Sequence, residues 1–539
     1  MNSLKVKIIF SIYWLISSSL LFSQTAFDYH INVEPSTISG LDGLHSYAFG
    51  QIDGKWIFIG GRRDGIHARQ PFNAFPENEN NTTIYVVDNI SQNVWTSNIL
   101  SLPEALKEQL QSTNMEFFQD ENILFFVGGY GFSNAEGDHI TFPNLTAIDL
   151  QGLIADVING NNINANFEQI TSDIFAITGG YMGKIGDEYL LVGGHRFDGR
   201  YNPMNHPTFI QEYSNQIRKF KLTTSNGLDY SDYSAETDEV NLHRRDYNLV
   251  PQIFPDGTFG YTIFSGVFQI NLDLPFLYPV NIFADGYEPV ADFNQLLSNY
   301  HSAHVPLYDS TTQTMHTLFF GGISQYYFDN GTLIQDDNVP FVKTISRISR
   351  GADGLLEEVA FSNKMPTYVG AGAEFILNEA LPTIADIIIK LDKLQSDSIL
   401  LGYIFGGIES PAKNPFTFNN TEVTFASNTI FKVFLIKDQV SPNVQPLTGY
   451  HNFEIKSVPN PTADSVIQLT MKVPESGNID ILLTNIEGRL ILNETLENIA
   501  AGENRLELPL PTSESGIYFL TIVLNGKYYA TEKIVFSNN

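Results

Sequence analysis

The apolar positions of this chain fall into short β-branched or aromatic runs rather than long helical stripes. Six of them end in a glycine pair or its remnant: Trp56 to Gly61, Ile123 to Gly129, Tyr189 to Gly194, Tyr261 to Gly266, Thr317 to Gly322 and Gly402 to Gly407. The second glycines are separated by 68, 65, 72, 56 and 85 residues, a degenerate internal repeat. Ahead of a run lies another strand-like stretch and a turn. Ser46 to Ile52 turns at Asp53-Gly54, Met115 to Gln119 at Asp120 to Asn122, Tyr181 to Ile185 at Gly186-Asp187, and Tyr247 to Phe254 at Pro255 to Gly257. These are hairpins, repeated. A polar loop and a third strand follow each glycine pair, read as Thr83 to Val87, Leu145 to Asp149, Gln216 to Leu222, Val267 to Asp273, Val342 to Ile348 and Thr429 to Ile436.

Three or four antiparallel strands per unit, six times over, predict an all-β chain built as a β-propeller of about six blades. The glycine pair, with Tyr85 and Asp88 in the third strand and Trp95 after it, resembles the Kelch-type propeller, and the resemblance runs from Phe27 to Lys437. Only the first unit carries the full pattern, and Ser265 replaces a glycine in the fourth. The alternating stretch Phe27 to Val33 is expected to supply the outer strand of the last blade and close the ring. The glycines are scaffold, allowing positive φ and close approach of the next blade.

The two ends read differently. Lys5 and Lys7 precede an apolar run from Ile8 to Phe22, shorter than a membrane span and interrupted by Ser17 to Ser19. That is the build of a secretory signal peptide cleaved near Ser23 or Gln24. The expected division is therefore signal peptide 1–24, propeller 25–437, linker 438–452 and a C-terminal unit 453–539. In the last unit short alternating strands predict a small Ig-like β-sandwich. Its residues resemble the type A C-terminal sorting domain of the type IX secretion system of Bacteroidota. The matching positions are Val458-Pro459-Asn460-Pro461-Thr462, Ile486-Glu487-Gly488-Arg489, Ala501-Gly502-Glu503-Asn504, Ser515-Gly516-Ile517-Tyr518 and Thr531-Glu532-Lys533-Ile534. The resemblance implies export to the cell surface or beyond, with the secretion machinery and its sortase-like peptidase as partners. No transmembrane segment is expected in the mature chain.

Composition narrows the chemistry. The 539 residues contain no cysteine, which removes disulfides, thiolate catalysis and Cys-ligated zinc, together with the Cys–Tyr crosslink that Kelch-type copper oxidases need. Sixty acidic against thirty basic residues give a formal charge of −30, unsuited to nucleic acid. No G-x-S-x-G, H-E-x-x-H or EF-hand pattern is present, and neither cofactor nor metal is expected.

One placement stands out. Seven of the 12 arginines, Arg62, Arg63, Arg69, Arg196, Arg200, Arg244 and Arg245, fall in the loops after the second strands or between blades. His67, His139, His195, His206, His243 and His301 accompany them, with His45 and His304 close by. Converging guanidinium groups would make an anion-binding mouth for an acidic glycan. The competing reading pairs the arginines with Asp64, Asp198 and Asp246 as loop braces. The leading function is thus a non-enzymatic binding or adhesion module for an extracellular glycan or protein. The second is a carbohydrate-active enzyme resembling the Kelch-type sialate mutarotases, with Glu374, in the loop before the last blade, as base. An enzyme would hold such an acid beside an arginine cluster in a deep pocket. A purely structural surface-layer role is the third.

Overall fold

The computed structural model describes residues 27–70, 73–202, 208–329, 331–438, 444–446, 455–463, 466–474, 476–485, 490–510, 515–524 and 528–537. The signal-peptide segment lies outside them.

Six blade sheets follow one another, four of them four-stranded and antiparallel, while the sheet of blade five extends to seven strands and that of blade six to five. Blade one comprises Ala48–Ile52, Lys55–Ile59, Thr83–Asp88 and Val94–Asn98, from the inner strand outward. The inner strands of blades two to six are Glu116–Asp120, Tyr181–Ile185, Asn248–Ile253, His304–Asp309 and Tyr368–Leu377. Blade six takes its outermost strand from the other end of the chain. Tyr29–Thr37 pairs antiparallel with Thr429–Lys437, in register from Tyr29 with Lys437 to Thr37 with Thr429.

Burial explains the sequence pattern. Each sheet is covered on both faces by its neighbours, so second strands such as Lys55–Ile59 and Ile123–Val127 are buried after their first residue and read as continuous apolar runs. The core is not one mass but six interblade layers. Ile57 and Phe126 pack between blades one and two, Phe125 and Leu191 between two and three, and Val192 and Ile263 between three and four. Phe264 and Phe319 continue between four and five, Leu318 and Ile404 between five and six, and Phe405 and Phe58 return to blade one. The circle closes.

The glycine pairs take positive φ in all six blades, and Ser265 does so at 57° where the other blades have glycine. The constraint is steric. A Cβ on Gly128 would lie 1.9 Å from the Ile177 carbonyl oxygen of the next blade, and one on Gly321 would lie 2.2 Å from that of Val369. The N–H of the second glycine donates to the same entering segment: Gly129 to Ile177 O at 2.9 Å, Gly194 to Arg244 O at 2.8 Å and Gly407 to Leu44 O at 2.9 Å.

Two readings of the sequence need correction. The third strand of blade four is Val280–Phe283, not Val267 to Asp273. Arg244 grips the carbonyls of Ser265 and Tyr278 and folds the intervening chain into a loop, so the fully buried Val280 and Ile282 pair with the second strand instead. Glu374 lies within the inner strand of blade six rather than in a loop before it. The chain is all-β as expected, with two short helices among the strands, α1 (Glu104–Leu110) and α2 (Leu150–Asn159). α2 is capped by Asp149, ends at Gly160 with φ 67°, and buries Leu150, Leu153, Ile154 and Val157.

In the segment read as a linker, Val444–Pro446 pairs with Leu356–Lys364, the fourth strand of blade five. The C-terminal unit has two sheets. One contains Ile455–Val458, Val466–Val473 and Gly502–Pro509, the other Leu490–Ile499, Gly477–Asn485, Gly516–Leu524 and Tyr528–Phe536. Ile467, Leu469, Ile481 and Leu520 are fully or almost fully buried between them.

Candidate functional site

The loops after the second strands and those between blades do meet on one face, and the arginines there have partners. Arg62 is 2% exposed and grips Asp64 through Nε and Nη2 at 2.8 and 2.6 Å, while its Nη1 donates to Asn80 Oδ1. Arg244 is wholly buried. It lies over the rings of Phe276 and Tyr278 and donates to the carbonyls of Asn241, Ser265 and Tyr278. Arg69 reaches the Thr417 carbonyl and packs over Phe416, Arg63 donates to the Asn78 carbonyl, and Arg196 pairs with Asp198 at 2.7 Å. Arg200 follows in the same hairpin, where Thr208 donates to its carbonyl. Asp64, Asp198 and Asp246 each pair with one of these arginines.

Around Arg245 several predicted residues converge. Its guanidinium pairs with Asp246, donates to the Tyr213 hydroxyl at 3.1 Å and lies over Phe268. His243 stacks on Tyr213 at 3.8 Å, and the His67 ring contacts Tyr201 at 4.6 Å. His195 meets Gln211 through Nδ1 at 2.7 Å. Burial lowers the pKa of His67 to about 4, that of His195 well below its ordinary value, and that of His243 below 6.5; the Arg245 charge adds to all three. The histidines therefore contribute neutral rings to this face. His139 approaches the Phe75 carbonyl at 3.1 Å, and His206 lies outside the described residues.

Where the chain passes from this face into the inner strands, one residue per blade forms a closed cycle of backbone hydrogen bonds. Asn114 donates to Ser46 O, Gly179 to Asn114 O, Asp246 to Gly179 O, His301 to Asp246 O, Gly372 to His301 O and Ser46 to Gly372 O, at 2.8 to 3.3 Å. Ser46, Asn114, Gly179, Asp246 and Gly372 all adopt positive φ to turn their amides into the cycle. The ring floors the central channel.

On the inner-strand side of that floor lies a cavity of about 180 Å³. Its chemistry comes from Glu116, Glu374, His301, His304 and Tyr181, and Phe49, Phe117 and Phe375 supply apolar wall. His301 Nε2 and Glu374 Oε1 are 2.9 Å apart but poorly aligned for a hydrogen bond, so the contact is one of charge. Burial alone would depress His301; the Glu374 carboxylate outweighs it and holds the imidazole above 6.5. Glu116 is 1% exposed, and burial raises its pKa to about 8. Its Oε1 accepts from the Gly180 N–H at 2.7 Å, while Oε2 makes no hydrogen bond. Glu116 was missed in the sequence because it sits inside an ordinary apolar hairpin; the available clue was a carboxylate at the head of an inner strand. No arginine lines the cavity among the described residues.

In the tail, Asn460 staples the opening motif to the last strand. Its Nδ2 donates to the Lys533 carbonyl at 2.6 Å and its Oδ1 accepts from the Val535 N–H at 2.9 Å. Pro459 and Pro461 flank it, Gly516 starts the penultimate long strand, and Tyr518 is buried in the core. Gly488 and Arg489 lie outside the described residues.

Fold and tail together define an exported protein, a six-bladed propeller carrying its own sorting unit. The family model described as a secretion system C-terminal sorting domain matches residues 457–537. That tail belongs to the type IX pathway and directs the chain to the cell surface or outside. Among solved structures, one titled "Structure of YjhT" is 9% identical, with 76% of this chain and 100% of that chain covered at a TM-score of 0.42. No curated protein matches the chain.

Proposed function

We propose that the propeller is a binding module for an extracellular glycan, held on the loop face around Arg245. The observation that carries this reading is the group of partly exposed rings, Tyr201, Tyr213, Tyr300 and His67, gathered about one guanidinium on a surface delivered outside the cell. Flat rings offer stacking area at little conformational cost, and a few fixed polar groups orient the ligand. An acidic sugar would share Arg245 with Asp246, whereas Arg62 and Arg244 serve as braces behind the surface.

The test is a glycan array probed with the full mature chain at low and raised salt. Binding that falls in Tyr201→Ala and Tyr213→Ala, in proteins with unchanged melting temperature, supports the reading. Unchanged binding in both variants refutes it.

The second reading, a carbohydrate-active enzyme, draws on the Glu374 and His301 contact in the wall of the cavity. Binding leads because, among the described residues, no arginine lines the cavity that holds Glu374. Turnover of an array-positive glycan, lost in Glu374→Gln, would reverse that order.

A further inference from the structure

We propose that the channel cavity is a second binding site, independent of the loop face, for a small primary alkylammonium ion seated between Glu116 and Glu374 against the rings of Phe49, Phe117 and Phe375. Three observations converge on it. The cavity, at about 180 Å³, suits a ligand of only a few heavy atoms, well below the usual drug-sized pocket. Its wall combines carboxylates with aromatic rings, the pairing that recognises organic cations by charge and by ring quadrupole. The third observation is the unused oxygen: Glu116 lines the cavity, and its buried Oε2 accepts nothing. An ammonium group brings three donors and no acceptor, which matches a wall offering the unused Glu116 oxygen and the Glu374 carboxylate, whose Oε1 it would share with His301.

The other charges around the site are accounted for. Asp246 lines the cavity but pairs with Arg245 across the ring. His301 leans on Glu374, and His304 has its Nδ1 2.9 Å from the Ser302 carbonyl, with burial holding its pKa below 6.5. Besides the dominant burial, Arg218 and Asp246 act weakly on Glu116, in opposite directions. With its pKa at about 8, Glu116 is largely protonated at pH 7 while the cavity is empty. Entry of R–NH₃⁺ stabilises the carboxylate, so the Glu116 proton leaves to solvent and the net charge gained is close to zero.

The experiment is calorimetric titration of the full mature chain with isoamylamine and, separately, with its neutral isostere isoamyl alcohol, at pH 7 in two buffers of different ionisation enthalpy. The amine is expected to bind at least about tenfold more tightly than the alcohol, about 1.4 kcal/mol. It should release close to one proton, and the release should vanish in Glu116→Gln. Glu374→Gln should weaken amine binding about tenfold while leaving the alcohol unchanged. Equal affinity for amine and alcohol overturns the proposal. So does absence of amine binding at concentrations on the order of 10 mM in a protein whose circular dichroism shows it folded. Tyr201→Ala should leave amine binding intact, which separates failure here from failure of the glycan reading.

Discussion

His301 Nε2, in the segment entering blade five, stands 2.9 Å from Glu374 Oε1 on the inner strand of blade six. Burial works against the imidazolium, and the neighbouring carboxylate more than restores it. NMR titration should find His301 above 6.5, and Glu374→Gln should bring it below that value. Because the folded pKa is raised, the stabilisation is complete below the unfolded value near 6.5 and disappears as pH rises through the folded one. The variant should therefore lose more stability at pH 5.5 than at pH 8.5; the reverse ordering would show that the contact is not an ion pair.

Glu116 gives the propeller a pH dependence at higher values. Its folded pKa is raised to about 8 from an ordinary 4.5, so its share of stability is full below 4.5 and declines until the pH passes about 8. Denaturant unfolding across that window should show the decline, flattened in Glu116→Gln.

Gly128 and Ser265 occupy equivalent positions and should respond unequally to substitution. Gly128→Ala forces a Cβ to within 1.9 Å of the Ile177 carbonyl and should cost about 3 kcal/mol or more. Ser265→Gly relieves a residue at φ 57° but loses the hydroxyl bond to Phe276 O at 2.7 Å, so the two effects nearly cancel, within about 1 kcal/mol. Urea melts of the pair decide this.

Adjacent arginines should separate structure from binding. Arg244→Ala removes a buried cation bonded to three carbonyls and should destabilise by about 3 kcal/mol or more. Arg245→Gln should instead weaken retention of acidic glycans, with a smaller change in melting temperature.

Asn460→Ala should loosen the final strand of the tail. Two hydrogen bonds to the backbone of residues 533 and 535 are lost, about 1 to 2 kcal/mol in sum. Faster hydrogen exchange at Val535 is the expected readout.

The repeat was legible because steric exclusion wrote it into the chain: a glycine is needed wherever an entering segment crosses a strand end, and those crossings recur once per blade. The outer strand of blade six was legible in part, since the alternating stretch Phe27 to Val33 overlaps the observed Tyr29–Thr37 but did not reveal its second half. In blade four the strand assignment failed, because Val267 to Asp273 is as apolar as a strand and nothing local reveals that Arg244 ties down its flanks. α2 had a readable signal in Leu150, Leu153, Ile154 and Val157, masked by its position directly after a strand. The site was harder still. Residue types showed where arginines gather, but whether a guanidinium faces solvent or an aspartate two residues away depends on loop geometry. Glu116 and Glu374 come together only through closure of the ring.

That closure also settles the field along the channel axis. The six amides of the hydrogen-bonded cycle all point the same way around the axis, each N–H toward the carbonyl before it. Their dipoles circulate rather than add along the axis, unlike those of a helix end. The cycle leaves neither a spare N–H for an anion nor an axial row of free carbonyls for a cation. Discrimination of charge in the channel therefore falls to side chains, chiefly Glu116, Glu374, His301 and the Arg245–Asp246 pair, of which Glu116 and Glu374 lie outside the ring and can be changed without altering a ring residue.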